Sequence, residues 1–72
     1  MEIRELILRK ESLEKSIHDF LRVEFEQFRK DTGFSPSSVY VSLRDITGLG
    51  DENPRYMVDN VEISVDARGV NV

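Results

Sequence analysis

Cysteine and tryptophan are absent from these 72 residues, histidine occurs once, and neither glycine nor proline appears before Gly33. Each gap closes something off. Without cysteine there is no disulfide to staple a chain so short that it buries only about two-thirds of its unfolded surface. One histidine and no cysteine leave zinc without a ligand set. The lack of cysteine fits a reducing, cytoplasmic setting. No apolar run nears the ~20 residues that a membrane-spanning helix needs. Met1 is followed by Glu2, Arg4 and Glu5, so no signal peptide is expected. The expectation is one soluble cytoplasmic domain over residues 1–72. Positive charge is also scarce. The net charge of -4 argues against a general nucleic-acid binder, which needs a basic face for phosphates. The acidic excess lies in the second half: residues 1–32 carry seven Lys/Arg against eight Asp/Glu, and residues 33–72 carry three against six.

What is present begins with helical periodicity. At ~100° per residue, Ile3, Leu6, Ile7, Leu13, Ile17, Phe20, Leu21, Phe25 and Phe28 fall in one broad arc. Glu5, Arg9, Glu11, Ser12, Arg22, Glu26 and Arg29 take the other side, with Leu8 and Val23 off the stripe. This split predicts an amphipathic helix over residues 3–32, in agreement with its Glu, Lys, Leu and Arg content. Acid-first pairs at a spacing of four, Glu5 to Arg9, Glu11 to Lys15 and Glu26 to Lys30, support its solvated face. Gly33 offers the left-handed residue of a Schellman-type ending, with Phe34 folding back on Phe28, and Pro36 blocks continuation.

The period then changes. After the turn-rich residues 33–38, Val39, Val41 and Leu43 alternate with Tyr40, Ser42 and Arg44 as in a half-buried strand. Residues 47–54 form a loop containing Gly48, Gly50, Asp51, Asn53 and Pro54. Beyond it, Tyr56 and Val58 share one parity and Val61, Ile63 and Val65 the other. A straight strand would place them on opposite faces. A two-residue turn at Asp59 and Asn60 resolves the conflict, pairing Val58 with Val61 and Tyr56 with Ile63. The expected architecture is thus α+β: a long N-terminal helix on a three-stranded antiparallel meander over residues 38–66, with a tail at 67–72 that frays or extends the last strand through Val70 and Val72.

Lengths create a problem for that arrangement. A helix of this size spans ~45 Å, whereas strands of five to eight residues span ~17–27 Å. Ile3, Leu6, Ile7 and Leu13 then overhang the sheet. Either the helix breaks near residues 10–12 and folds back, or a second subunit covers them. Ile3, Leu6, Leu13, Ile17 and Phe20 fit alternating a and d heptad sites with Lys10 at one a site, and Glu24 and Gln27 end the register. Homodimerisation through this stripe is the expectation.

Candidate chemistry is thin. His18 lies at the border of the polar face with Glu11, Glu14 and Arg22 within about a turn, the setting of a surface histidine, since general-base work also needs an orienting partner and a pocket. The loop from Asp45 to Pro54 has acids for a hard cation but not the Asp/Asn alternation and terminal Glu of an EF-hand. Gly48-Leu49-Gly50 lacks the Lys-Ser/Thr ending and following helix of a phosphate cradle. No catalytic, cofactor or metal residue is therefore assigned. The outer sheet face is expected to show Tyr40, Ser42, Arg44, Arg55, Met57, Glu62, Ser64 and Asp66. Of these, Tyr40, Arg44, Arg55 and Met57, together with Gly48 and Gly50 of the loop, form the expected partner surface. The same Tyr40, Arg44 and Arg55 are the platform that a nucleic-acid-associated factor would use.

The order of long charged helix, Thr32-Gly33, a Ser-Val-Tyr-Val strand, Asp45-Ile46-Thr47 with Gly50-Asp51, Pro54-Arg55-Tyr56-Met57-Val58 and a Val-Glu-Ile-Ser-Val strand resembles small, mostly uncharacterised proteins encoded in bacterial phage and prophage regions. It covers residues 25–65 and implies an origin and a size class, with no functional residue to carry over. The resulting expectation is a non-enzymatic protein-interaction or assembly module, without cofactor, small-molecule substrate or membrane partner. The alternative is a nucleic-acid-associated accessory factor.

Overall fold

Thirty residues without a helix breaker form an unbroken α1, Ile3–Thr32, in the computed structural model, which describes residues 2–68 and 70–72. The helix continues through residues 10–12, so the break considered there does not occur. At its start the Leu6 amide donates to the Glu2 carbonyl at 3.0 Å. At its end Gly33 adopts φ 82°, and its amide donates to the Arg29 carbonyl at 2.8 Å. That single bond defines the simpler left-handed ending and not the Schellman motif. The Phe34 amide donates instead to the Thr32 hydroxyl (3.2 Å), which itself donates to the Phe28 carbonyl (2.8 Å).

Two long strands follow, β1 at Pro36–Asp45 and β2 at Tyr56–Ala67, paired antiparallel. The division of residues 56–66 into two strands is overturned. Neither Asp59 nor Asn60 has a positive φ, so no hairpin turn forms there. The parity conflict is resolved by a β-bulge: Ser42 pairs with Asn60 and Leu43 with Val58, leaving Asp59 as the extra residue. Val58 consequently faces Leu43, Val61 faces Val41, Ile63 faces Val39, and all six share one side of the ribbon. A second irregularity leaves Ser37 unpaired between Pro36 and Ser38, and the Ser37 hydroxyl donates to the Ser64 carbonyl at 3.2 Å.

Residues 70–72, expected to fray or to extend the last strand, turn back along β2. β3, Val70–Asn71, pairs with Asp66 and Ala67, and the Val72 amide donates to the Val65 carbonyl at 2.9 Å. Gly69 of that tail lies outside the described residues, as does Met1. The sheet is therefore a two-stranded ribbon widened at one corner by two residues, not a meander of three comparable strands.

The chain divides into two units, Met1–Ser35 and Pro36–Val72. Among the described residues no side chain of either unit is buried, apolar or polar. Strands of ten and twelve residues span ~33–40 Å, close to the ~45 Å of α1. Both strands are longer than the five to eight residues expected from the alternation.

Candidate interaction surfaces

The first surface is the stripe of α1. Ile3, Leu6, Ile7 and Leu13 are all exposed, and the stripe continues through Ile17 (51% exposed) and Phe20 (64%). A shallow depression along it is lined by Leu6, Arg9, Lys10 and Leu13. Ion pairs occupy the flanks: Arg9 with Glu5 at 3.2 Å and Lys10 with Glu14 at 3.0 Å. Farther along, Glu26 pairs with Arg29 at 2.5 Å, one residue short of the expected Lys30. The hydrogen bond from Arg29, and then its charge, holds the Glu26 carboxyl below its ordinary value and raises the guanidinium in turn. His18 is exposed, with its Nδ1 3.2 Å from the Asp19 carboxylate.

The ribbon supplies the second surface. Its apolar side carries Val39, Val41, Leu43, Val58, Val61 and Ile63; Val39 is half-buried and the other five are exposed. On the other side the pairs are Tyr40 with Glu62, Ser42 with Asn60, and Arg44 with Met57. Of the expected partner surface, the structure brings together Tyr40, Arg44 and Met57. Arg44 donates to the Met57 sulfur at 3.7 Å and lies 3.9 Å from the Asp59 carboxylate. Arg55 stands outside β2 at the end of the loop, where its carbonyl accepts from the Ile46 amide at 2.8 Å. The aromatic ring is opposite Glu62 and one Arg is engaged by Asp59, so this face presents acids among its bases.

The third surface is the loop between β1 and β2, where turn-forming residues bond to one another. Asp45 accepts from the Thr47 amide (2.8 Å) and hydroxyl, the Thr47 hydroxyl oxygen accepts from the Arg55 amide (2.9 Å), and Asp51 accepts from the Gly48 amide (2.7 Å). These are the side-chain turns for which Asp and Thr are suited. The Thr47 hydroxyl, and after it the Thr47 amide, holds the Asp45 carboxyl below the usual carboxylate value. Gly50 has φ 92°, a conformation that glycine adopts without steric cost. Gly50 therefore serves the turn itself, and Gly48 contributes its amide to the Asp51 carboxylate. Between them Leu49 projects fully into solvent.

Leu49 was absent from the expected partner residues. A Gly-Leu-Gly triplet at the centre of a polar loop was its available signal. The exposure of the ribbon's apolar side has no signal in the sequence, because alternation cannot distinguish a covered face from an open one. No helix is long and apolar enough to cross a membrane among the described residues. No protein-family model, curated protein or solved structure matches the chain.

Proposed function

We propose that the protein is a non-enzymatic interaction module that associates with a second copy through the stripe of α1 and offers the ribbon and its Leu49 loop to a protein partner. The observation that carries this reading is an unbroken helix whose apolar stripe stays exposed in a chain with no buried residue among those described. Burying apolar area stabilises by about 25 cal/mol per Å². A chain that leaves Leu6, Leu13, Ile17 and Phe20 in water has that stabilisation still to gain by association. A two-stranded ribbon is marginal by itself for the same reason. An accessory role in assembly of the phage type accords with an interaction module.

Light scattering over a dilution series tests the reading. A mass near twice 8.3 kDa, falling toward the single-chain value on dilution, is expected. A single-chain mass at every concentration would sink it.

A further inference from the structure

Two charged residues sit inside the apolar stripe of α1, and they are of opposite sign. Lys10 and Glu24 lie seven residues before and seven residues after Ile17. At ~100° per residue they point within ~40° of each other and of Ile17. Placing a charge in the middle of an apolar seam weakens association unless the facing surface answers it. Lys10 has a partner at the stripe's margin, Glu14 at 3.0 Å, in a pair exposed on both sides. Among the described residues Glu24 makes no ion pair and no side-chain hydrogen bond.

We infer that two copies of α1 pack antiparallel about a two-fold axis at Ile17, so that Lys10 of each protomer meets Glu24 of the other. This inference rests on the proposed self-association and adds its orientation. The symmetry does the selecting. In an isologous antiparallel pair, residues equally far before and after the axis reach the same level. Lys10 and the partner's Glu24 both lie ~10 Å from the level of Ile17, and both face the seam. The same operation brings Leu13 level with the partner's Leu21 and Ile17 beside its own copy, an apolar centre closed at each end by an ion pair. A parallel pair in register instead sets Lys10 against Lys10 and Glu24 against Glu24. Like charges facing each other in a seam are strongly unfavourable. The antiparallel arrangement satisfies both interruptions of the stripe with one symmetry element.

Charge reversal tests the orientation in the full chain. Lys10→Glu and Glu24→Lys each set like charges against each other at both ends of the seam, and each is expected to weaken the dimer roughly tenfold or more. Lys10→Glu combined with Glu24→Lys restores opposite charges and is expected to recover the dissociation constant to within a few-fold. In a parallel pair the double variant repeats like-on-like contacts and gains nothing over the single ones. Because the chain has no cysteine, a second measurement needs no background removed. Lys10→Cys mixed with Glu24→Cys is expected to give the mixed disulfide dimer, identified by mass. Self-linked Lys10→Cys and Glu24→Cys dimers in place of the mixed product would overturn the orientation and leave self-association standing. A monomeric unmodified chain at all concentrations would remove both. Helical circular dichroism of each variant separates loss of association from loss of the helix.

Discussion

On α1 the apolar stripe is interrupted by Lys10 and Glu24, whereas the apolar rows of the ribbon, Val39, Val41 and Leu43 opposite Ile63, Val61 and Val58, run without a charge until Asp45 faces Tyr56. The ribbon keeps its charge and irregularity elsewhere. The bulge at Asp59 interrupts β2, Glu62 lies on the opposite side, and Pro36 with the unpaired Ser37 opens β1. Such features blunt strand edges against pairing with other chains. A charge within a seam instead sets which way a partner lies. One region thus carries information about orientation, and the other carries protection against unspecific pairing. If this contrast holds, a charge introduced into α1 and the same charge introduced into the ribbon have different consequences.

The largest expected effect follows directly. Ile17→Asp places two carboxylates at the symmetry axis and is expected to weaken the dimer by about 100-fold, roughly 2.7 kcal/mol. Val41→Asp, on the ribbon, is expected to leave the mass of the dimer unchanged in light scattering at the same concentration. The reverse outcome, mass lost with Val41→Asp and retained with Ile17→Asp, would move the self-association surface to the ribbon.

Deletions sharpen the comparison inside the ribbon itself. Removing Glu62 makes Val61 and Ile63 neighbours and turns one of the two apolar sets to the wrong side. A loss of about 2 kcal/mol is expected in denaturant unfolding, within the range of disrupted packing. Removing Asp59 deletes the bulge residue alone. Val58 and Val61 then stand two apart, as Leu43 and Val41 do, so the register survives and stability changes by less than about 1 kcal/mol. The expected cost of losing the bulge appears as aggregation along β2, measured by turbidity. A turn at this position would make the Asp59 deletion the more damaging of the two.

That parity problem marks where the sequence stopped being legible. The helix was readable because its signals agree: nine apolar residues on one arc, favourable composition, no breaker before Gly33, and a residue at φ 82° where the stop was expected. The conflict between Val58 and Val61 was equally visible, but two devices solve it, a turn and a bulge, and both tolerate Asp and Asn. Long-range pairing with β1 selects the bulge, and no local signal near Asp59 reports that pairing. The same choice made the strands too short, since dividing β2 halves its length. Of the residues expected on the outer sheet face, Tyr40, Arg44 and Met57 share that face as alternation implies, while Arg55 falls outside β2, where its backbone closes the loop.

Smaller effects belong to the loop. Thr47 connects both of its ends, donating to Asp45 and accepting from the Arg55 amide at 2.9 Å. Thr47→Val is expected to cost about 1 kcal/mol, the net worth of such a bond near the surface. Broadened amide resonances for residues 46–55 in heteronuclear NMR would accompany it. Unchanged spectra would mean that the turn is held by Gly50 and Pro54 without it.

The smallest effect compares the loop with α1 through two depressed carboxyls. Asp45 titrates low because of the Thr47 hydroxyl and amide, and Glu26 titrates low because of Arg29. In each case the folded state prefers the charged form. The associated stability is present above the ordinary carboxylate pKa of about 4 and is lost as the pH falls through the lower folded value. Both groups are exposed, so the change is read from their own NMR titrations and not from unfolding. Salt discriminates between them. Raising the ionic strength from ~0.1 M to ~1 M shortens the screening length from about 10 Å to about 3 Å. Glu26, held in part by the charge of Arg29, is expected to move back toward its ordinary value, whereas Asp45, held by neutral donors, stays low. Equal movement of the two would show that the Asp45 carboxylate is held by charge and not by the turn.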